Sequence, residues 1–355
     1  MRFPKFEEEW DIMFGNEIFK TVSNKKHNSD LPIVAVTQDK GVALRDDIDY
    51  KISVSDKSIS TYKIIEKGDF VISLRSFQGG IEYSEVTGIC SPAYTILKPI
   101  CPIVDQFYKF YLKQDRYISK LNERLEGIRD GKNISFGNFS IIPLPYPILE
   151  EQQKIAKFLS LIEERISTQN KIIEKLESLI KGISQTLFRE TIDWNIYKIG
   201  DILKIGSGRD YKHLKKGNVP VYGTGGYMLS VNDCLYEGES VCIGRKGTID
   251  EPIFLKGKFW TVDTLFYTYN FQNLLPRFCY YLFCTINWLQ YNEASGVPSL
   301  SKDTIEKIKV YLPNMQEQEK ICSSLNAINN KLEFEKRLFL AYQVQKKFLL
   351  AKMFI

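Results

Sequence analysis

The chain reads IAKFLSLIEERISTQNKIIEKLESLIKGISQTL over residues 155–187, and its apolar residues recur at alternating steps of four and three. The members of this ladder are Ile155, Leu159, Ile162, Ile166, Gln169, Ile173, Leu176, Ile180, Ile183 and Leu187. A 3.5-residue period over more than four heptads is typical of a coiled-coil seam, because the stripe of a globular helix drifts at 3.6. We therefore predict one long helix that presents a seam to a second helix.

The same ladder returns 166 residues later in the chain. Its members are Ile321, Leu325, Ile328, Leu332, Glu335, Phe339, Tyr342, Lys346, Leu349 and Met353. The approach is repeated too, since Pro147 and Glu151-Gln152-x-Lys154-Ile155 match Pro313 and Glu317-Gln318-x-Lys320-Ile321. A proline followed by acidic residues is the usual chemistry of a helix N-terminus.

Two such helices favour an antiparallel coiled coil in which the polar rungs Gln169 and Glu335 lie close together and fix the register. Two alternatives stay open: both helices are ordinary core helices, or each pairs with a helix of another chain. Lys346 stands at an otherwise apolar rung, which predicts that the second helix frays or meets a partner near its end.

The segments before the two helices are distant copies of each other. Trp10-x-Ile12 matches Trp194-x-Ile196, and Ile134-Ser135 matches Leu300-Ser301. Both copies mix short β-branched and aromatic runs with Gly-rich turns, and both have a helix-like stretch, at 106–126 and 276–293. We predict an α+β fold with an internal pseudo-twofold repeat. The predicted segments are a globular domain at 1–148, a long helix at 149–190, a second globular domain at 191–313 and a second long helix at 314–355.

Composition indicates a cytoplasmic protein that binds no metal. The N-terminus has no apolar region typical of a signal peptide, and the longest apolar run, 278–286, is too short to cross a bilayer. Seven cysteines without a Cys-x-x-Cys pair read as reduced thiols, and two distant histidines make a metal site improbable.

Catalytic motifs are missing from the sequence. It contains neither a Gly-x4-Gly-Lys-Ser/Thr phosphate loop nor the Asn/Asp-Pro-Pro-aromatic tetrapeptide of adenine methyltransferases. Gly206-Ser207-Gly208-Arg209 is half of a dinucleotide fingerprint and fits a turn better. We predict that the chain has no active site of its own.

Several loops carry the residue types that read DNA: Arg or Lys for guanine and phosphates, and Asn or Gln for adenine. The net charge of +5 supports such binding only weakly. Each loop could also be a solvated surface, and the arginines could instead tie their loops to backbone carbonyls. The candidate DNA-binding residues are Arg75, Gln78, Arg129, Lys132, Asn133, Arg209, Lys212, Lys215, Lys216, Arg245, Lys246 and Ser299.

Taken together, the order and spacing of these motifs resemble the specificity subunits of type I restriction-modification systems. The resemblance covers essentially the whole chain and rests on the repeated Pro…Glu-Gln-x-Lys-Ile approach, on Tyr222-Gly223-Thr224-Gly225-Gly226 and on Gly296-Val297-Pro298-Ser299-Leu300-Ser301. It implies two target recognition domains, each reading one half of a split site on double-stranded DNA, with the helices setting the spacer. It also implies two modification (methyltransferase) subunits that use S-adenosylmethionine, and restriction (motor-nuclease) subunits that use ATP and Mg, while this chain is non-catalytic. The alternative is a coiled-coil adaptor that scaffolds a protein assembly through two peptide- or glycan-binding domains.

Overall fold

The computed structural model describes residues 2–28, 30–37, 41–48, 59–73, 81–123, 134–188 and 194–354. The chain divides into two compact units, one formed by residues 1–170 and 338–355 and the other by residues 171–337. Each of the two long helices therefore contributes one part to each unit.

The first unit is built from short strands, short helices and parts of both long helices. Its strands are β1 (Asp11–Phe14), β2 (Phe19–Val22), β3 (Val34–Thr37), β4 (Gly41–Leu44), β5 (Lys63–Ile65), β6 (Phe70–Ile72), β7 (Glu82–Tyr83), β8 (Gly88–Cys90), β9 (Thr95–Pro99) and β10 (Pro143–Tyr146). Its helices are α1 (Gly15–Ile18), α2 (Asp105–Tyr111), α3 (Asp115–Asn122), α4 (Phe136–Ser140) and the first part of α5 (Leu149–Leu187). Among the described residues the strands form a four-stranded antiparallel sheet, in the order β2-β9-β6-β7, and the two-stranded pairs β1-β10, β3-β4 and β5-β8.

The second unit has longer strands and a larger sheet. Its strands are β11 (Asn195–Lys198), β12 (Lys204–Ser207), β13 (Lys216–Gly223), β14 (Gly226–Val231), β15 (Tyr236–Gly244), β16 (Ile253–Thr261), β17 (Leu265–Tyr269) and β18 (Lys309–Leu312). Its helices are α6 (Ile199–Ile202), α7 (Pro276–Thr285), α8 (Lys302–Lys307) and most of α9 (Met315–Met353). Six strands form one mixed sheet in the order β12-β17-β15-β16-β13-β14, and β11 pairs with β18.

The mixed α/β fold agrees with the predicted class, and the two copies share their construction. In each copy an antiparallel ribbon, β1-β10 or β11-β18, leads directly into a long helix. In each copy a serine caps the short helix before the ribbon: Ser135 Oγ accepts from the backbone N–H of Asn138, and Ser301 Oγ accepts from that of Thr304. The repeated Ile-Ser and Leu-Ser pairs are thus buried anchors followed by N-caps.

The repeated glutamine of the helix approach is a buried brace. Gln152 Oε1 accepts from the backbone N–H of Val104 at 2.9 Å, and its Nε2 donates to the Pro147 carbonyl at 2.7 Å. Gln318 does the same with Leu275, at 2.9 Å, and Pro313, at 3.1 Å. Neither side chain is accessible to solvent. The motif that recurs in the sequence therefore holds the start of each long helix against its own globular domain.

Both long helices are continuous over 39 residues. Every rung of the two ladders is buried or half-buried, including the polar Gln169 and Glu335. Within the first unit, Glu163 of α5 accepts from Lys346 of α9 at 2.6 Å, and the guanidinium of Arg165 lies over the ring of Tyr342 at 5.6 Å. As the numbering rises along α5 it falls along α9, so the two helix parts of this unit run antiparallel. In the second unit, Lys336 of α9 pairs with Glu177 of α5 at 2.8 Å.

Three details differ from the sequence predictions. Of the two alternatives predicted for Lys346, a frayed end is wrong, because α9 continues to Met353 and the lysine pairs with Glu163; contact with a partner near this end stays a prediction. The stretch 106–126 is not one helix, because the backbone of Gln114 is extended and separates α2 from α3. The stretch 276–293 likewise stops at Thr285, where the extended Ile286 ends α7 before a short 3-10 turn. In the described part of the chain, no helix combines the length and apolarity needed to cross a membrane.

Candidate nucleic-acid interface

A cleft of about 1060 Å³ lies at one end of the six-stranded sheet of the second unit. We call it the Arg245 cleft. It is lined by Ser207, Arg245, Lys246, Asp263, Thr264, Phe266, Glu293, Ala294, Ser295, Gly296, Val297, Ser299, Leu300, Ser301 and Lys302. Three predicted DNA-binding residues, Arg245, Lys246 and Ser299, therefore lie together in it.

Backbone pairing brings these three residues together. Lys246 and Ser299 form an isolated antiparallel bridge, and the N–H of Leu300 donates to the carbonyl of Arg245 at 2.9 Å. On the other side, the N–H of Arg245 donates to the carbonyl of Thr264 at 2.8 Å. The turn after β15 is thus fixed between the loop at 293–301 and the turn before β17.

The loop at 293–301 is held by two side chains at its start. Asn292 Oδ1 accepts from the N–H of Ser299 at 2.9 Å, and its Nδ2 donates to the Ala294 carbonyl at 2.8 Å. Glu293 accepts from the hydroxyls of Thr304 and Ser301, and these hydrogen bonds lower the pKa of its carboxyl group. The carboxylate is therefore ionised at neutral pH and works as an acceptor that shapes the loop.

Arg245 and Lys246 are exposed to solvent. Arg245 Nη1 lies 3.5 Å from the carbonyl of Asp263, which is long for a hydrogen bond and leaves the other guanidinium donors available. The alternative role predicted for this arginine is to tie its loop to a backbone carbonyl. Among the described residues, only this long contact supports that role. Lys302, at the start of α8, adds a third cation, and its Nζ lies over the Phe266 ring at 6.0 Å.

The other predicted basic residues of this unit divide between two places. Arg209 follows β12 next to the cleft: its N–H donates to the Thr261 carbonyl at 2.8 Å, and its own carbonyl accepts from Trp260 Nε1 at 2.8 Å. Lys215 and Lys216 stand at the start of β13. At the other end of this strand, the carbonyl of Tyr222 accepts from the N–H of Val262, which directly precedes Asp263 of the cleft. A strand rises about 3.3 Å per residue, so these two lysines lie roughly 20 Å along β13 from that end. Lys212 is exposed in the loop between these two places.

Glycines of two sequence motifs allow close packing beside the cleft. A Cβ at Gly208 would lie 1.9 Å from the carbonyl oxygen of Val262, and one at Gly206 would lie 2.1 Å from the Tyr267 ring. The stretch Tyr222–Gly226 forms the tip of the β13-β14 hairpin, with Gly226 at a φ of 97°. Both motifs therefore serve backbone geometry. The turn predicted for Gly206–Arg209 is wrong for its first half, because Gly206 and Ser207 are paired residues of β12.

Five predicted residues, Arg75, Gln78, Arg129, Lys132 and Asn133, lie outside the described residues. Sequence reasoning missed Asn292, Glu293 and Lys302. Lys302 had a signal, because it directly follows the repeated Leu300-Ser301 pair. Asn292 and Glu293 had none, since the hydrogen bonds that make them important join residues of an irregular loop.

Comparison with known proteins identifies the family. The sequence model of the type I restriction modification DNA specificity domain matches residues 7–178 and 191–339. The chain belongs to this family. It carries two copies of the domain, and the copies correspond to the repeat recognised in the sequence.

Relatives cover nearly the full length of this specificity-family chain. It is 24% identical to the type I restriction enzyme MjaVIII specificity subunit of Methanocaldococcus jannaschii, over 93% of this chain and 88% of that protein. It is 22% identical to the putative MjaX specificity subunit of the same organism, over 93% and 89%. The type I system S subunit from M. genitalium has the same fold, with a TM-score of 0.66 and 18% identity, over 98% of this chain and 96% of that one.

Proposed function

We propose that this chain is the non-catalytic subunit that reads a bipartite site on double-stranded DNA, one half with each recognition domain. The observation that carries the proposal is the Arg245 cleft, in a chain whose family is defined by DNA specificity. Its loops are held in place by their own hydrogen bonds, and Arg245, Lys246 and Lys302 supply donors for guanine edges and phosphates. A preformed surface of this kind suits base readout, because little conformational entropy is lost on binding.

We propose further that α5 and α9 pair along their whole length as an antiparallel coiled coil that sets the spacer between the two half-sites. Three observations support this proposal: the helices are equal in length, every ladder rung is buried or half-buried, and the Glu163–Lys346 and Glu177–Lys336 contacts join the helices inside the two units. At about 1.5 Å per residue, each helix is roughly 58 Å long. That length exceeds one turn of duplex DNA, which is about 34 Å.

The expected partners are two modification subunits and the motor-nuclease subunits. S-adenosylmethionine, ATP and Mg would be used by those subunits in the cytoplasm and not by this chain. Exposed apolar side chains on the long helices support docking of a partner. Leu340, Val344 and Phe348 follow each other at four-residue spacing on α9, and each is more than half exposed. A stripe of this kind is the usual contact for a helix of another chain.

Selection of duplexes from a random pool tests the proposal. The full chain, assembled with its modification subunits, should enrich a split sequence with a constant gap, and duplex affinity should fall steeply with added salt. Enrichment of a single continuous motif would contradict the two-part reading. Absence of any duplex affinity at low salt would contradict DNA binding and would favour the alternative function, a coiled-coil adaptor that scaffolds a protein assembly.

A further inference from the structure

A second cavity, of about 460 Å³, lies wholly within the first unit. Its walls come from the segment before β1, the β1-β10 ribbon, the end of α2, α3 and Phe354, which directly follows α9. Four aromatic side chains, Trp10, Tyr111, Tyr117 and Phe354, line it, and we call it the aromatic pocket. Its volume falls within the range of about 300–1,000 Å³ that is typical of small-ligand sites.

Two polar groups in the wall of this pocket lack hydrogen-bond partners. Tyr117 is 1% exposed and Gln114 is 7% exposed, and neither Tyr117 Oη nor Gln114 Nε2 has a partner among the described residues. Burial raises the pKa of Tyr117 far above its ordinary value, so the hydroxyl keeps its proton and can donate. Buried polar groups are nearly always paired in folded proteins, so two orphans in one wall indicate a group that they are built to bind.

A neighbouring tyrosine shows the ordinary arrangement. Tyr108 is as fully buried as Tyr117, but its hydroxyl donates to the carbonyl of Pro145 at 2.8 Å. The second domain offers another comparison. Phe278 packs on Trp194 as Phe107 packs on Trp10, and at the same offset of 171 residues Tyr117 is replaced by Trp288. Trp288 Nε1 donates to the Phe283 carbonyl at 2.8 Å, so in that copy the buried polar group is satisfied.

The charged residues of the pocket favour an anion. Arg116 and Lys120 line it, one turn apart on α3, and neither forms an ion pair with any described residue. Arg2 also lines it but is held by Glu151 through two contacts of 2.7 Å, and Glu9 is the acidic residue of the lining. A guanidinium such as that of Arg116 binds carboxylates in bidentate fashion.

We propose that the aromatic pocket binds an aromatic carboxylate. The ring packs among the aromatic walls, where edge-to-face contacts are favourable, and the carboxylate pairs with Arg116 and accepts from Tyr117 and Gln114. Such a ligand is either a free aromatic acid or the C-terminal aromatic residue of another polypeptide, since both present a ring next to a carboxylate. The proposal does not depend on DNA binding, because the Arg245 cleft belongs to the other unit.

Calorimetry and thermal unfolding of the full-length chain test the ligand class with four probes. N-acetyl-L-phenylalanine imitates a chain end, and its carboxamide lacks only the charge. Phenylacetate represents a free aromatic acid, and acetate lacks the ring. We expect N-acetyl-L-phenylalanine to bind with a dissociation constant below about 1 mM and to raise the melting temperature, while the carboxamide and acetate do neither. Equal binding of phenylacetate identifies a free acid as the source, and weaker binding identifies a chain end. If the carboxamide binds as well as the acid, or if no probe binds, the proposal is wrong.

Variants separate a ligand-binding hydroxyl from a structural one. Tyr117→Phe removes the unpaired buried hydroxyl and should therefore raise the melting temperature of the ligand-free chain. It should also weaken the binding of N-acetyl-L-phenylalanine about tenfold, the equivalent of one hydrogen bond. Arg116→Gln should weaken the binding of the acid without improving the binding of the carboxamide. Tyr108→Phe is the matched control, and it should lower the melting temperature and leave probe affinity unchanged. A Tyr117→Phe chain that melts lower and binds the probe normally would show that the hydroxyl is held by ordered water, and would overturn the proposal.

Discussion

Trp10 Nε1 donates a hydrogen bond to Glu151 Oε2 at 2.9 Å, joining the start of the chain to the start of the first long helix. Arg2 pairs with the same carboxylate at 2.7 Å. In the second copy Trp194 Nε1 lies 3.4 Å from Glu317 Oε1. The tryptophan and the glutamate that recur in both halves of the sequence are therefore hydrogen-bond partners. Both residues serve attachment of the helix to its domain.

This pair predicts an unequal response to the same substitution in the two copies. Trp10→Phe should lower the free energy of unfolding by about 1–3 kcal/mol, because it leaves a buried carboxylate with one donor fewer. Trp194→Phe should cost less, because its bond is longer than the usual range. Urea unfolding of both variants measures the difference, and equal losses would show that ring packing dominates over the hydrogen bond.

The glutamine brace gives a second prediction. Gln152→Leu would leave the N–H of Val104 and the carbonyl of Pro147 unpaired around a side chain that is itself wholly buried. An unpaired buried group costs about 1–3 kcal/mol, so we expect a large drop in the urea midpoint. Gln185→Leu, at an exposed position of the same helix, serves as the control for helix propensity. Equal urea midpoints for the two variants would show that the hydrogen bonds of Gln152 do not stabilise the fold.

The sequence was informative where spacing alone determines structure. The ladders predicted both long helices, and the paired motifs located the start of each helix, because heptad periodicity and helix N-termini are local patterns. The same motifs did not reveal that Gln152 is wholly buried or that Glu151 receives Trp10, since these contacts join residues 48 and 141 positions apart.

The candidate site was predictable in part for the same reason. Arg245, Lys246 and Ser299 were chosen one by one, and only the pairing of Lys246 with Ser299 shows that they share a cleft. The lysines at 215 and 216 were chosen by the same criterion but lie at the other end of β13. Charge in a loop indicates accessibility, whereas sheet topology decides which loops meet.

The ion pair between Glu163 and Lys346 predicts a pH dependence of stability. Burial on its own raises the pKa of Glu163, but the hydrogen bonds from Lys346 and Lys109 outweigh it and lower the pKa below its ordinary 4.5. A carboxyl group with a lowered pKa in the folded state stabilises the fold above its unfolded pKa, and that contribution is lost as the pH falls through the folded value.

The free energy of unfolding should therefore decline below about pH 4.5. For Glu163→Gln it should be lower at neutral pH and should decline less steeply as the pH falls. Urea midpoints measured between pH 3 and pH 7 check this expectation. Glu177→Gln removes a comparable bridge whose side chains are nearly half exposed, and its effect should be small. Parallel curves for the natural chain and Glu163→Gln would show that other carboxyl groups cause the acid sensitivity.

The Arg245 cleft predicts a selective loss of affinity for one half of the target. If Arg245 makes a bidentate contact with guanine, Arg245→Ala should weaken binding to the selected site by about 1–3 kcal/mol and relax the sequence preference in one half only. Lys258→Ala removes a cation of the same unit outside the cleft and should leave the preference intact. Equal loss on selected and scrambled duplexes would instead assign Arg245 to a phosphate.

Lengthening the helix pair tests the proposed spacer. One additional heptad in each helix, between Asn170 and Lys171 and between Arg337 and Leu338, preserves the ladder and falls at the boundary between the two units. Seven residues extend a helix by about 10 Å, which corresponds to roughly three base pairs at about 3.4 Å each. The gap in the selected sequence should therefore grow by about three base pairs while both half-sites keep their sequences. A gap of unchanged length, in a chain whose two units melt as before, would show that the helices do not set the spacer.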